Sequence, residues 1–387
     1  MVPVWSAASD SQRCAKPTHF RPPWGMRIAV DVTPLAHPNS GIGHFVSVLV
    51  PALEAADNDV TRFVMSGSAS AGRTQFPGAH VVRIPGATAA FRWWGRFGGR
   101  PPSIFDDVAI VHGTNYVTPP PGRAACVISV HDASPWLAPR WGEAPNRTIT
   151  RLVERRIKQG AWVHTLTNAT AATLADILDT DRIRVAPIPP ATVADASRDD
   201  LPVRLAGRPY VLCLGAEKRR KRLDAVIRGF VDAAQNDADI ALVLAGAEGD
   251  GSSDVVQALD EVGQVRSRIY RLGPVTEAKR NALVTFARAL CYVSHHEGEG
   301  LPVLEAQGLG IPVVIGDDSA VAETSGGAAI SCDPADVSSI GGALRTAVND
   351  EAKRAELKAS GRQNAARFTP ERFLDDMTDI YRQATNR

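Results

Sequence analysis

Residues 289–306, with the sequence ALCYVSHHEGEGLPVLEA, decide the fold. An apolar run, which predicts a buried β-strand, leads into a loop with glycines at 298 and 300. A helix follows, and its first position should be Pro302 because proline is favoured there. A buried strand that is followed directly by a helix is the unit from which parallel sheets are built. The stretch therefore predicts one βα unit of an α/β protein.

The same unit recurs on both sides of this stretch. Apolar runs such as RIAVDV, VAIVHG and ACVISVHD alternate with amphipathic runs up to residue 185, and the alternation resumes at YVLCLG. Between them lies VAPIPPATVADASRDDLPVRLAGRP, which is rich in proline and lacks a period, so the domain boundary should fall between about Ala186 and Pro209. The pattern predicts two doubly wound, Rossmann-like domains, residues 26–190 and 191–368.

Two terminal segments stand outside this alternation. Residues 1–25 have no apolar period, and we interpret them as a loose extension. After Phe368, Thr369 and Pro370 predict the start of a helix that covers residues 369–387. Its apolar residues share one face, which needs a partner, and we expect the helix to pack back toward the first domain.

Composition narrows the function classes. The chain has 387 residues, 44% of them apolar, and its 43 basic and 42 acidic side chains almost cancel to a net charge of +1. No overall field draws it to nucleic acid, so we expect no nucleic-acid partner. Five scattered cysteines without CxxC spacing predict reduced thiols, and neither a signal peptide nor a membrane span is apparent. These features predict a cytoplasmic protein.

The loop and helix start at residues 297–305 could bind a phosphorylated ligand. Free amides at the helix start, including those at Gly300 and Leu301, would attract phosphate at the carboxyl edge of the sheet. Glu305 could then accept from ribose hydroxyls and Glu297 from a sugar. An ordinary strand–loop–helix, with one solvated carboxylate and one that complements the helix dipole, is an equally weighted interpretation.

Five basic residues, 218–222, follow the first strand of the second domain, beginning three residues after Gly215. A doubly wound sheet binds its ligand at this position, so we favour neutralisation of a diphosphate by Arg220 and Lys221 over a localisation signal or a nucleic-acid patch. A solvated basic loop remains the alternative.

Two further segments lie at strand ends of the first domain. Ser40-Gly41-Ile42-Gly43 opens the first helix, but the third glycine of a dinucleotide fingerprint is missing, which disfavours a nicotinamide cofactor. The glycines should let the backbone approach another ligand, with a plain tight turn as the alternative. His131 is a candidate for contact with a reacting sugar, whereas a capping pair with Asp132 is the simpler interpretation.

In this order, the motifs SGIGHF, VHGTNY, SVHDASP, LGAEKRRKRLD, RLGPVT and EGEGLPVLE resemble those of the GT-B glycosyltransferases of family 4. The resemblance covers nearly all of residues 26–387 and is greatest to the mannosyltransferase B branch. It implies two domains that face each other across a cleft, with the acceptor bound by the first and a nucleotide-sugar donor bound by the second.

The resemblance also implies roles for individual residues. Glu305 would hold the donor ribose, Glu297 the donor hexose, and Arg220 with Lys221 the diphosphate. Further donor-binding positions would be Gly43, Gly215, Gly273, Val275, Gly298, Gly300 and Leu301, and the catalytic set would be His131, Glu297, Arg220 and Lys221. Two positions depart from the family: Glu299 stands where phenylalanine is usual, and Arg222 where asparagine is common.

The chain is thus expected to be a retaining hexosyltransferase of polysaccharide biosynthesis. It would transfer mannose from GDP-mannose to a glycan or a polyprenyl- or lipid-linked acceptor, without cofactor or metal. Other donors (UDP-, ADP- or dTDP-hexose), a phosphorylase or epimerase reaction, and a catalytically silent nucleotide-sugar-binding subunit are the alternatives. The triplets at Asp179–Asp181 and Asp237–Asp239 suggest a metal-dependent GT-A transferase, but their polar surroundings favour turns.

Residues 91–100 (FRWWGRFGGR) interleave aromatic side chains with arginines. This mixture suits an anionic membrane surface, which would place the protein peripherally on the inner face of the membrane. A packed aromatic core with solvated arginines is equally compatible with the pattern.

Overall fold

The computed structural model describes residues 25–37, 40–84, 86, 91, 94, 99–141, 145–193, 196–205, 207–236 and 239–386. The expected loose extension, apart from Gly25, and most of the aromatic and arginine segment lie outside the described residues. Within that segment, Phe91 and Trp94 have ring centroids 5.8 Å apart and pack against the core of the first domain. Among the described residues, no helix is both long and apolar enough to cross a bilayer.

The first domain is built on a parallel sheet of seven strands in the order β3-β2-β1-β4-β5-β6-β7. The strands are β1 (Arg27–Asp31), β2 (Asp59–Ser66), β3 (His80–Arg83), β4 (Ile110–Gly113), β5 (Ala125–Ser129), β6 (Trp162–Thr165) and β7 (Ile183–Val185). The described helices are α1 (Gly41–Ala55), α2 (Ala69–Gln75), α3 (Ser134–Leu137), α4 (Arg147–Lys158) and α5 (Asn168–Leu178). The order reverses between β1 and β4, so the carboxyl ends of these strands open into a crevice.

The second domain has a parallel sheet of six strands in the order β10-β9-β8-β11-β12-β13. Its strands are β8 (Tyr210–Leu214), β9 (Ala241–Ala245), β10 (Ile269–Gly273), β11 (Ala289–Tyr292), β12 (Val313–Gly316) and β13 (Ile330–Cys332). Its helices are α6 (Leu223–Asn236), α7 (Ser252–Glu261), α8 (Glu277–Thr285), α9 (Leu301–Leu309), α10 (Ser319–Ser325), α11 (Val337–Asn349) and α12 (Glu351–Ala365). Helix α9 begins at Leu301, one residue before the predicted Pro302, because Gly300 adopts a left-handed φ of 96° and ends the loop.

Helix α13 (Pro370–Thr385) returns from the second domain to the first. Thr369 caps it by accepting from the amide of Arg372, as the sequence predicted. Its apolar face joins the core of the first domain, where Phe373 packs edge-on against Phe45 of α1 at 5.8 Å. The other buried residues of that face are Met377, Ile380, Tyr381 and Ala384.

A chain of buried hydrogen bonds connects α13 to the sheet. His164 Nε2 lies 3.0 Å from the carbonyl oxygen of Ala186, so this nitrogen carries the proton and Nδ1 accepts from Ser129. Ser129 in turn accepts from His112 Nε2 at 2.8 Å, and His112 Nδ1 accepts from the Tyr381 hydroxyl at 2.7 Å. Each group thus donates to the next, and both histidines are neutral.

Four of the five cysteines, Cys126, Cys213, Cys291 and Cys332, are buried free thiols. Cys14 lies outside the described residues.

Asp179 ends α5 with a left-handed φ of 47°, so the first acidic triplet is a turn after a helix. Part of the second triplet, Asp237 and Ala238, lies outside the described residues.

Candidate active site

The two domains meet across a cleft with a helix start on each side. In the first domain, Ser40 caps α1 by accepting from the amide of Gly43, which leaves the amides of Gly41 and Ile42 at the helix start. In the second domain, α9 starts at Leu301 without a side-chain cap. A side chain built on Gly41 would meet the Leu301 side chain at 3.6 Å, so the two positive helix ends face the same space.

Glu297 is the centre of a buried charge cluster in this cleft. Its Oε1 atom accepts from Lys221 Nζ at 2.9 Å and from Ser294 Oγ at 2.9 Å, and it pairs with the guanidinium of Arg220. Burial alone would raise the pKa of the Glu297 carboxyl, but the charges of Lys221 and Arg220 outweigh it and lower the pKa to about 2. Glu297 is therefore ionised at neutral pH and holds both cations in place.

The two cations keep donors for a further anion. Lys221 donates to Glu297 and to the Tyr292 hydroxyl at 3.1 Å, which leaves its third proton. Arg220 uses one amino nitrogen for the carbonyl oxygen of His296 and for Glu297, and within the described part of the chain its other nitrogens have no protein acceptor. Burial lowers the pKa of Lys221, and the charge of Glu297 offsets only part of this effect.

Glycine positions the basic loop. Gly215 has a φ of 119°, and a side chain there would meet Lys221 Cε at 3.2 Å. The carbonyl oxygen of Gly215 lies so close to Gly246 that a Cβ on Gly246 would be 2.0 Å from it.

Arg222, where the family commonly has asparagine, adopts a left-handed φ of 47° and contacts His295 and Asp224. The departure therefore affects the packing of the loop, at a position where asparagine is easily accommodated.

Glu305 lies on the first turns of α9 and is paired with Arg280 of α8. Burial raises the pKa of the Glu305 carboxyl, and the charge of Arg280 opposes this rise. Gly273 and Val275 lie at the carboxyl end of β10, immediately before α8. The residue that reaches Glu305 from this side is Arg280, which the sequence analysis did not single out.

His131 lies on the opposite wall, at the end of β5. Its Nε2 donates to the carbonyl oxygen of Thr114 at 2.8 Å, and its ring packs against Phe45 at 5.1 Å. Burial lowers the pKa of His131, so the ring is neutral. Its backbone carbonyl contacts Gly298, where a Cβ would lie only 1.9 Å away. Tyr116, with a left-handed φ of 59°, hydrogen-bonds Asp132 beside it.

The cleft therefore brings together most of the residues that the sequence singled out. Glu297, Arg220 and Lys221 form one cluster, and Gly298 touches His131. Gly43 lies in the first turn of α1, two residues after Gly41, which approaches Leu301 of α9. A separate cavity of about 1420 Å³ lies at the opposite edge of the first sheet, lined by Pro120, Gly160 and Arg182 among others. Parallel α/β sheets bind ligands at the carboxyl ends of their strands, so the cleft is the better candidate.

Comparison with known proteins agrees with this geometry. Residues 201–364, nearly all of the second domain, match the family model described as glycosyl transferases group 1. The chain is a glycosyltransferase with a group 1 domain. The glycosyltransferase is 27% identical over 287 residues to the O-antigen chain mannosyltransferase B of Escherichia coli, across 70% of its own length and 74% of the relative's. This similarity agrees with the resemblance of its motifs to family 4.

Two further similarities bear on the glycosyltransferase. It is 28% identical to a D-inositol 3-phosphate glycosyltransferase of Xylanimonas cellulosilytica, over 54% of its own length and 53% of that relative's. The structure of Anabaena HepE in complex with UDP and glucose matches 92% of the chain and all of HepE, with a TM-score of 0.70 at 14% identity. The structural match shows the GT-B fold, and the family model together with the similarity to mannosyltransferase B identifies a hexosyltransferase.

Proposed function

We propose that this glycosyltransferase transfers mannose from GDP-mannose to a glycan or a polyprenyl- or lipid-linked acceptor, with retention at the anomeric carbon. The observation that carries the proposal is the cluster of Arg220, Lys221 and Glu297 between two facing helix starts. This arrangement supplies positive charge for a diphosphate and an ionised carboxylate for sugar hydroxyls. The similarity to a mannosyltransferase B supports mannose as the sugar.

The donor would lie along the second domain. Its diphosphate would receive hydrogen bonds from Lys221, Arg220 and the amides at the start of α9. Glu305 would exchange Arg280 for the ribose hydroxyls, and the base would lie near Gly273 and Val275. Glu297 would accept from hydroxyls of the hexose while still pairing with Lys221. The acceptor would approach from the first domain, beside His131.

We propose a front-face transfer. The bond between the anomeric carbon and the diphosphate oxygen breaks, and the acceptor oxygen forms its bond on the same face. The acceptor hydroxyl proton passes to the departing diphosphate, whose charge Arg220, Lys221 and the start of α9 stabilise. A covalent intermediate would need a carboxylate of the first domain beside the anomeric carbon. Asp132, the carboxylate next to His131, is instead engaged by the Tyr116 hydroxyl at 3.1 Å and the Ser134 amide at 2.8 Å.

Donor identity is tested by thermal stabilisation with GDP-, UDP-, ADP- and dTDP-sugars. A ligand at about one hundred times its dissociation constant stabilises a protein by roughly 2.7 kcal/mol. GDP-mannose should give the largest shift and then support transfer to mannosylated glycan acceptors, with the α-anomer retained. If UDP-glucose, which is bound in a HepE structure, gave the largest rise in melting temperature, it would replace GDP-mannose as the proposed donor. If a donor bound but no product formed with any acceptor, the result would favour a catalytically silent binding subunit.

A further inference from the structure

The donor loop, residues 297–300, is held by partners in both domains. Glu297 faces Lys221 and Arg220 of the second domain. The next residue, Gly298, directs its carbonyl oxygen at the first domain, where Thr167 Oγ1 lies at 3.1 Å and Thr170 Oγ1 at 3.2 Å. Both threonines are only 2% exposed, so these hydrogen bonds are shielded from water.

The proton count shows how the two hydroxyls share this oxygen. Thr167 Oγ1 accepts from the amide of Thr170 at 3.2 Å, which caps α5. Its single proton goes either to Gly298 or to Thr170 Oγ1, which is 2.9 Å away. When Thr167 donates to Thr170, Thr170 donates to the Gly298 carbonyl; when Thr167 donates to Gly298 directly, the proton of Thr170 can go to either oxygen. Thr170 Oγ1 has no other hydrogen-bond partner among the described residues, whereas Thr167 also caps its own helix.

A second contact fixes the distance between loop and first domain. The α-carbon of Gly298 lies against the carbonyl oxygen of His131, with no room for a side chain. The peptide at Gly298 is therefore bound on one side by two hydroxyls and packed on the other against the wall where the acceptor is proposed to lie. A small separation of the domains would break both contacts.

A charged contact joins the two domains at the start of α5, the helix that carries Thr170. Glu323 of α10 accepts from the amides of Asn168 and Ala169, each at 2.9 Å, and from the Asn168 side chain at 2.8 Å. A carboxylate of the second domain thus binds the positive start of α5 in the first domain. The pair is exposed, so it guides the approach of the domains more than it stabilises their contact.

We propose that Thr170, assisted by Thr167, is a positioning residue for sugar transfer. Its hydroxyl sets the Gly298 peptide, and through it the Glu297 carboxylate, in the geometry required for reaction only when the domains are closed. Thr170 touches neither donor nor acceptor in this assignment. The inference rests on the proposed function, because it assumes that Glu297 holds the donor sugar.

The test compares Thr170→Val, Thr170→Ser and a control, Thr173→Val. Valine keeps the volume of threonine and removes the hydroxyl, whereas serine keeps the hydroxyl. Thr173 lies on the same helix and donates only to the carbonyl oxygen of Ala169. We expect Thr170→Val to lower kcat roughly two- to tenfold, the equivalent of one hydrogen bond, with unchanged donor affinity. Thr170→Ser and Thr173→Val should retain kcat.

A second measurement does not need turnover. X-ray scattering should show a larger radius of gyration for Thr170→Val than for the wild type. Gly298→Ala, in which the added methyl group forces the cleft open, is the reference for an increased radius of gyration. A wild-type radius for Thr170→Val, or a loss of kcat that Thr170→Ser fails to restore, would overturn the inference. Failure of every donor with the wild-type enzyme would overturn the proposed function instead, and the scattering result would still decide whether Thr170 holds the cleft closed.

Discussion

At the scale of single residues, Glu299 is a buried carboxyl group where related enzymes usually have phenylalanine. It is 3% exposed, its Oε1 accepts from the amide of Ile188 at 3.2 Å, and its Oε2 has no partner among the described residues. Burial raises the pKa of Glu299 well above its usual range, and the charge of Glu323 adds to the rise. Glu299 faces the linker between the domains, and its buried surroundings favour the protonated carboxyl.

We expect Glu299→Gln to stabilise the protein at alkaline pH. A raised pKa in the folded state favours folding below the unfolded pKa of about 4.3, and this contribution is lost as pH rises. Glutamine keeps an acceptor for Ile188 and does not ionise. The variant should therefore melt above wild type at pH 8, and the gap should close toward pH 4.5. Parallel melting profiles across this range would show that Glu299 is ionised in the folded protein.

Two site residues should affect donor binding more than folding. Lys221→Ala and Glu305→Ala each remove a charge-assisted contact of about 1.5 to 3 kcal/mol, which corresponds to roughly a ten- to hundredfold weaker donor affinity. Calorimetric titration with the donor, alongside thermal unfolding, measures both quantities. Arg219→Ala and Glu277→Ala are matched controls, because both side chains are exposed neighbours in the same loop or adjoining helix. Unchanged donor affinity in the Lys221 or Glu305 variant would place the nucleotide elsewhere.

At the scale of secondary-structure elements, the buried chain from Tyr381 to Ala186 makes the attachment of α13 sensitive to acid. Burial lowers the pKa of His164 to about 3 and that of His112 well below its usual value. Both stay neutral in the folded state, whereas in the unfolded chain they gain protons below about pH 6.5. Their contribution to stability is therefore complete above pH 6.5 and is lost as pH falls toward 3.

We expect each of these histidines to reduce the free energy of unfolding by about 1.4 kcal/mol for every pH unit below 6.5, as long as it remains neutral. The loss should appear in denaturant titrations between pH 7 and pH 5 that follow tryptophan fluorescence or the far-UV circular dichroism. His164→Gln, which keeps polar atoms but does not titrate in this range, should show a shallower slope. An unchanged slope would mean that His164 is not neutral in the folded state.

The strength of the local pattern decides which elements could be predicted from the sequence. The alternation that starts at β1 and the cap at Thr369 are local signals, and the structure confirms them. Strands β7 and β13 were missed because three residues are too few for a period. Helix α12 was missed because its sequence, EAKRAELKASGRQNA, is mostly polar and shows little segregation of apolar residues.

The strength of the local sequence pattern also decides which residues of the active site could be predicted. Glu297 and Lys221 each follow an apolar strand, so their place at a carboxyl edge could be inferred, and the structure brings them together. The hydrogen bond from Thr170 to Gly298 joins residues 128 positions apart in different domains. No periodicity or spacing carries that information, because it depends on how two folded domains meet. Arg280 was missed for a related reason, since one arginine on a polar helix face has no distinctive local pattern.

At the scale of the whole molecule, we expect sugar transfer to survive chelation. Arg220, Lys221 and two helix starts supply the positive charge that a divalent cation would provide at a diphosphate. Initial rates with and without excess EDTA should agree, and added Mg²⁺ or Mn²⁺ should change them little. Complete loss of activity in EDTA that either metal reverses would contradict this and return attention to the acidic triplets.

The path of α13 also has a consequence for the order of events during synthesis. Phe373, Met377 and Tyr381 belong to the core of the first domain, yet they follow β7 by more than 180 residues. At the usual 5 to 20 residues per second, the ribosome needs roughly ten to forty seconds to make the intervening chain. During that time the nascent first domain exposes the apolar surface that α13 later covers. Helix α13 therefore completes the first domain only after the whole second domain has been synthesised, and we expect the nascent first domain to need protection from aggregation during this interval.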